Sequence, residues 1–393
     1  MPHSIDWKPI LLACLTISIG QLSMGLVFPA LPWIAQDFGI DLDQAQLLIA
    51  VYLLGFGPSQ FIYGPISDAL GRRKVLLSGL VLALVGLTVV VIGSNSFPMI
   101  VLGRFIQGLG TGCCAVLARA LIRDSYSGKQ LPTALAYIAM VASFTPIVAP
   151  VIGGFINHHF GWISIFVLLL SYLVTVWLIL FVRFEETMRN RTVLPSIPAV
   201  LTSYVSLLKS RYFISFASIG WLNFSLVITT TSVMPFIMQM QIGMSSDRYA
   251  LWALIPALGF LCGTFFCNKM RPKFGLKAML YTAPCMQVLA AIWLIIAPLE
   301  PWAMMLGQFL LVFGNGIALP CAQAQVMLPF KNRAGVAAAL SGGGQMIVSA
   351  LVSMFLVNIG INQAWELGCL IGVFALITSL NVYRGFQSTP PSG

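Results

Sequence analysis

Charge is what this chain of 393 residues has least of: Asp, Glu, Lys and Arg together make up 8% of it, against 59% hydrophobic residues. A soluble domain carries about 25% charged residues, so a water-soluble fold is excluded: it would have to hide more apolar surface than a globule can. Acid is scarcer than base, 11 residues to 21, and no Asp or Glu falls in the core of any long apolar run. Histidine is limited to three residues. The eight cysteines (Cys14, Cys113, Cys114, Cys262, Cys267, Cys285, Cys321, Cys369) all lie inside apolar runs without metal-ligand spacing, where free cysteine packs as a small hydrophobe. Neither a metal site nor a disulfide framework is indicated, and no cofactor is expected. With no embedded His, Asp and Glu cluster, phosphate loop or nucleophile constellation, an enzyme is the least supported class.

What the chain does have is apolar length. A hydrocarbon core about 30 Å thick takes about 20 apolar residues of helix to cross, so this chain has room for about twelve crossings with short loops. Only helices or closed barrels satisfy their backbone amides in lipid, and runs that are continuous rather than alternating predict an all-α membrane protein. The spans are expected at residues 10–34, 45–66, 75–93, 97–121, 132–156 and 162–182, then 212–238, 249–268, 277–297, 301–327, 334–357 and 364–383. The first is too long for a signal peptide and lacks a small-residue cleavage site. A polar stretch from Arg183 to Arg211 is read as the longest loop. The division is therefore a six-helix bundle over residues 1–182, a cytoplasmic linker over 183–211 and a second six-helix bundle over 212–393.

With the N-terminus inside, 19 of the 21 basic residues fall on the cytoplasmic side: Lys8; Arg72, Arg73, Lys74; Arg119, Arg123, Lys129; Arg183, Arg189, Arg191, Lys209, Arg211; Lys269, Arg271, Lys273, Lys277; Lys331, Arg333; and Arg384. Only Arg104 and Arg248 fall elsewhere, while the acids divide nearly evenly, as expected when bases alone set orientation. Both termini are thus expected in the cytoplasm. The net charge of +10 is scattered over short loops rather than gathered on one face, so nucleic acid is not an expected partner.

Residues 64–74 read Gly-Pro-Ile-Ser-Asp-Ala-Leu-Gly-Arg-Arg-Lys. The spacing predicts a tight turn with Gly64 and Gly71 at its ends, Asp68 at a helix terminus or paired with Arg72, and Arg73 beside it. A plain positive-inside loop explains the bases but not the Gly-x3-Asp-x2-Gly-Arg-Arg spacing. These residues match, position by position, the signature loop that follows helix 2 in the major facilitator superfamily, which the chain therefore resembles. Two further elements agree: Arg104-Phe105-Ile106-Gln107-Gly108 is similar to the family's Arg-x2-Gln-Gly element in helix 4, and residues Thr145 to Gly154 to the helix 5 element of its antiporters, with Thr145 and Ala149 where glycine is common. In the second half, Gly314-Asn315-Gly316, Pro320, Pro329 and Ala334 to Leu340 resemble the bicyclomycin and chloramphenicol resistance branch of the drug/proton antiporters. A degenerate second copy of the helix 2 loop, from Gly263 to Lys277, sits about 200 residues after the first, as a parallel duplication places it.

The resemblance implies a major facilitator fold, two six-helix bundles around a central cavity, in a bacterial inner membrane. It puts Arg104 in that cavity, with a role in coupling; snorkelling to the outer surface is the competing reading. It makes Asp124 the acid that joins Asp68 and Arg72, against a merely solvated Asp124. In helix 5, Pro146 and Pro150 each delete a backbone hydrogen bond and Gly153 and Gly154 admit a close neighbour, giving a kinked, tightly packed seam or a purely structural kink. For substrate, Gln21, Met24 and Phe28 repeat at helical spacing in helix 1, Tyr52, Phe56 and Gln60 in helix 2, and Tyr137 lies early in helix 5. Trp221, Asn223, Asn315, Gln323 and Gln345 offer matching groups from the second half. Aromatic, Met and amide side chains suit a promiscuous pocket, although bundle packing competes for each aromatic.

A cavity with Arg104 and no carboxylate is expected to be electropositive. The resemblance to drug/proton antiporters implies proton-coupled export of small amphipathic molecules, and an electropositive cavity makes those expected to be neutral, zwitterionic or anionic. Proton coupling would run through Asp124, Asp68 or an edge residue such as Asp37; His158 and His159 read as an interfacial pair. The expected partners are a small-molecule substrate, protons and membrane lipid, and the chain is expected to be a monomer. A transporter for a specific metabolite or siderophore on the same fold, and a transporter-like receptor that carries nothing, are the competing readings.

Overall fold

The computed structural model describes residues 6–128, 130–188, 197–327, 329–330, 334–357, 359, 361 and 363–388. Of the bases assigned to the cytoplasmic side, Lys129, Arg189, Arg191, Lys331 and Arg333 lie outside the described residues, as does part of the expected linker. The described residues form α-helices and no strand. In order these are α1 (Trp7–Gly25), α2 (Leu31–Phe38), α3 (Leu42–Leu70), α4 (Arg72–Ile92), α5 (Phe97–Ser125), α6 (Gln130–Phe160), α7 (Ile163–Arg183), α8 (Ile197–Leu208), α9 (Arg211–Phe236), α10 (Ser246–Trp252), α11 (Leu254–Ile296), α12 (Pro301–Met327), α13 (Ala334–Val357) and α14 (Ala364–Gln387). Eleven stretches among the described residues are long and apolar enough to cross a membrane. One of them holds α11, whose 43 residues would run about 65 Å if straight, twice the hydrocarbon thickness. It turns at Gly275, where φ 77° and ψ 168° interrupt the helix. Two expected spans with a loop between them are thus one chain of helix folded at a single glycine, because only glycine adopts that backbone without strain.

Three expectations need correction. The first span is not one helix: α1 stops at Gly25, a 3-10 turn covers Phe28–Ala30 and α2 begins at Leu31, since Pro29 and Pro32 cannot supply the amides a continuous helix needs. Phe28 therefore does not continue the face that carries Gln21 and Met24. The stretch from Arg183 to Arg211 is not all loop, because α8 forms within it. Leu207 is buried, while Leu201, Val205 and Leu208 lie one helical turn apart and stay exposed, the spacing of an amphipathic helix. The signature loop is also shorter than eleven residues. Helix α3 continues through Asp68 to Leu70, with Gly71 N–H still bonded to the Ser67 carbonyl at 3.1 Å, so Gly71 alone separates α3 from α4.

The chain clusters into two compact units, the first residues 1–27 and 51–195, the second residues 28–50 and 196–393. In the first unit α1 packs on α5 and α6, and α4 on α5 and α7. In the second, α11 packs on α12 and α14, and α9 on α12, α13 and α14. The segment 28–50 is counted with the second unit, and its polar contacts account for that. The Trp33 indole N–H donates to Gln239 Oε1 (2.8 Å) and Ser246 Oγ (2.6 Å), while Gln239 Nε2 donates to the Pro29 carbonyl (3.0 Å). Gln239 sits in a π-helical stretch, Ile237–Gln241, that follows Pro235; such a bulge re-aims side chains by adding a residue to the turn.

Candidate functional site

The first unit holds two arginine nodes, and they are built differently. At the α3/α4 junction the Arg72 side chain is buried, 7% exposed. It pairs with Asp68 one helical turn back, donates through Nε to Asp124 Oδ2 at 3.0 Å, and through Nη1 to Ser67 Oγ at 2.5 Å. Three helices' ends are therefore tied to one guanidinium, whose planar fork can serve several acceptors at once. Gly71 has φ 102°. Directly above it the Glu186 carboxylate accepts from Arg72 N–H (2.9 Å) and Arg73 N–H (3.3 Å), so it caps α4 where the helix presents unpaired amides and a positive dipole end. A Cβ on Gly71 would lie 3.0 Å from the Glu186 carboxyl carbon. Arg73 does separate work: its guanidinium donates to the Phe184 and Phe181 carbonyls at 2.7 Å each and lies 5.5 Å from the Phe181 ring. Gly64, by contrast, lies within α3, and a Cβ there would meet only Val116 at an ordinary 3.8 Å.

The second node is Arg104, fully buried. Its Nη1 donates to the Ser23 carbonyl (2.9 Å) and Gln107 Oε1 (2.8 Å), and its guanidinium lies 4.3 Å from the Tyr52 ring centroid. Tyr52 is fixed in turn, its hydroxyl donating to the Gly20 carbonyl (3.1 Å) and meeting Thr111 Oγ1 at 3.0 Å. The node exists because α3 and α5 touch backbone to backbone: a Cβ on Gly108 would reach the Tyr52 carbonyl and come within 3.1 Å of the Phe56 nitrogen. Buried cations of this kind are held by carbonyls and ring faces that replace water.

Of the other candidates in the first unit, Phe56 and Gln60 are buried with Tyr52, the Phe56 ring 5.8 Å from it, so this face packs against neighbouring helices. Gln21 and Met24 are half-buried on α1. Tyr137 stacks edge-on against Trp7 at 5.1 Å. The α1/α6 seam is close: Gly153 leaves room for the Leu26 backbone, and a Cβ on Gly25 would meet the Ala149 Cβ at 2.6 Å. Pro150, Gly153 and Gly154 are buried, but Pro146 is exposed, on the side of α6 away from the packed residues, and α6 runs unbroken through both prolines.

In the second unit Trp221 donates to the Ser341 carbonyl (2.9 Å) and lies against Gly344, next to buried Gln345. Asn223, two residues on and so on another face of α9, accepts instead from Gln287 Nε2 (2.9 Å) and donates to the Ile219 carbonyl. These two do not share a face. Sequence reasoning missed Glu186, Ser67, Gln287 and the Ser23 carbonyl. Only Glu186 carried any signal, as one of two adjacent acids in a short basic segment.

Among the described residues the buried charged side chains are Arg72 and Arg104, and no carboxylate is buried. Both nodes sit on long apolar helices of the first unit. The sequence model described as Major Facilitator Superfamily matches residues 13–380. The chain belongs to that superfamily. This facilitator is 27% identical over 373 residues to "Multidrug resistance protein D" of Escherichia coli (strain K12), covering 94% of each chain, and 28% identical over 352 residues to "Multidrug resistance protein MdtL" of Shewanella sp. (strain ANA-3), covering 88% of this chain and 87% of the other. Its fold matches the crystal structure of a POT family transporter in complex with 5-aminolevulinic acid, with a TM-score of 0.76 at 15% identity and 96% of each chain covered. The facilitator is thus a multi-pass membrane transporter of small molecules with the major facilitator fold, and not an enzyme.

Proposed function

We propose that this facilitator exports small amphipathic compounds, neutral, zwitterionic or anionic, in exchange for protons and by alternating access. It sits in a bacterial inner membrane as a monomer, with both termini in the cytoplasm and two six-helix bundles joined by the 183–211 linker. The relatives named multidrug resistance proteins support export of foreign amphipaths. The observation that carries the charge preference is that, among the described residues, the buried charged side chains are Arg72 and Arg104 and no carboxylate is buried. A buried permanent cation repels a lipophilic cation and attracts an anion or a strong dipole in a low-dielectric surround.

Asp68 and Asp124 both bind Arg72, so protonating either one weakens the tie between α3, α4 and α5. Proton binding and substrate binding would each favour one facing state by their differential affinity. The test is proton release from acidified everted vesicles on adding a neutral amphipathic antibiotic, beside a lipophilic cation, with Arg104→Ala as control. Release with the neutral compound supports the reading. Release with the cation alone overturns the charge preference, and silence with both favours a dedicated metabolite carrier. Asp68→Asn is expected to slow exchange while leaving substrate binding intact.

A further inference from the structure

Arg119, one of the bases assigned to the cytoplasmic side, lies within α5, six residues before the helix ends at Ser125. There it borders a cavity of about 250 Å³ lined by Ile17 of α1, Arg119 of α5, and Leu135, Ile138, Ala139, Ala142 and Ser143 of α6. All seven belong to the first unit. The lining is apolar except for one guanidinium and one hydroxyl. Among the described residues no carboxylate forms an ion pair with Arg119, whereas Arg72, on the neighbouring α4, engages both Asp68 and Asp124. The α6 residues recur at 135, 138, 139 and 142, one helical face, so the apolar wall is continuous and faces the base from one side. A cation at the edge of an apolar wall has the two contacts an amphipathic anion needs: a charge-assisted pair for its head and surface for its chain.

We infer that this cavity is a binding site for the anionic head and adjoining chain of an amphipathic carboxylate or phosphate, with Arg119 as the anion-binding residue and Ile17, Leu135, Ile138 and Ala139 as the chain-binding wall. The inference rests on the substrate class proposed above and narrows it, because it names where the negative charge is held. The same chemistry could come from a free solute or from the headgroup of an anionic lipid. Arg123, one turn further along α5 and outside the cavity lining, is the built-in control.

The test uses the full-length protein in nanodiscs of zwitterionic lipid, with octanoate, octylammonium and octanol as probes, and measures ligand-dependent thermal stabilisation and titration of binding. Octanoate is expected to bind and octylammonium not to. Arg119→Gln is expected to weaken octanoate about 10- to 100-fold, the loss of one charge-assisted contact, while Arg123→Gln leaves it within about twofold. Ala139→Leu fills the wall without touching charge and is expected to weaken octanoate and octanol together. Unchanged octanoate binding in Arg119→Gln, or in Ala139→Leu, overturns the site, as does octylammonium binding as tightly as octanoate. Adding phosphatidylglycerol to the discs separates the sources: competition with octanoate assigns the cavity to a lipid headgroup, and indifference assigns it to a free solute. Because the readout is binding, its failure is distinct from a failure of proton exchange in vesicles, where octanoate plays no part.

Discussion

Replacing Gly71 by alanine puts two separate costs on one junction. The backbone there has φ 102°, a conformation that costs an L-residue about 1–2 kcal/mol or more. The new Cβ would also displace the Glu186 carboxylate from the Arg72 and Arg73 amides it accepts from at 2.9 and 3.3 Å. Losing a charged cap from a helix N-terminus costs about 1–2 kcal/mol. Together Gly71→Ala is expected to destabilise the first unit by about 2–4 kcal/mol, a drop of several degrees in unfolding midpoint, measured by tryptophan fluorescence on heating in detergent. The sharper assay is a double-mutant cycle with Glu186→Ala. If the Cβ already evicts the carboxylate, the second change has little left to remove, and the double variant falls short of the sum by about 1 kcal/mol. Strictly additive effects would refute the argument, since they would mean that Gly71 and Glu186 act on different parts of the fold.

The Arg104 node and the Lys8–Glu185 pair give three further expected outcomes. Arg104→Lys keeps the charge but not the fork that reaches the Ser23 carbonyl and Gln107 while covering Tyr52, so it is expected to cost about 2–3 kcal/mol in the same melting assay; Tyr52→Leu, which removes the ring face and the hydroxyl bond to Gly20, is expected to cost a comparable amount. At the surface of the first unit, Lys8 Nζ donates to Glu185 Oε1 at 2.6 Å, and this bond and charge hold the Glu185 carboxyl below its ordinary value of 4.5. A lowered folded-state value means that the pair's contribution is present above pH 4.5 and is lost as pH falls through the lowered value. Lys8→Ala is expected to return the Glu185 titration to its ordinary range, read by NMR of a labelled glutamate, and to remove that part of the acid dependence.

How much was legible in the sequence differs between the two arginine nodes. The Gly-x3-Asp-x2-Gly-Arg-Arg spacing marked Asp68, Gly71 and Arg72 as a unit, because a helix-to-helix turn constrains neighbours in the chain and local constraints leave local patterns. Glu186 is 114 residues from Arg72 and left no spacing that ties it to the loop, although with the positive φ of Gly71 it makes position 71 hostile to a side chain. The Arg-x2-Gln-Gly element flagged Arg104 as a charge at membrane depth and carried one of its ligands, Gln107, but the other two, a backbone carbonyl of α1 and a ring of α3, are encoded by no periodicity in α5. Helical spacing grouped Gln21, Met24 and Phe28, and failed there because two prolines end the period before Phe28. Trp221 and Asn223 were grouped by chemistry and not by spacing, and two residues apart on one helix they meet different neighbours.

Composition by itself determined that this chain lives in a bilayer as a bundle of helices. So little charge over so much apolar length permits nothing else, and the signature loop narrowed that bundle to one superfamily. What only the tertiary structure decided is which charges are buried and what faces them. Arg119 and Arg72 look alike in the sequence, two bases near the inner ends of helices. In the fold one is closed over by two acids and a hydroxyl, and the other is left at the rim of an apolar cavity. That difference arises because helix packing, set by backbone contact at Gly108 and Gly153, fixes which side chains meet across distances the sequence does not record.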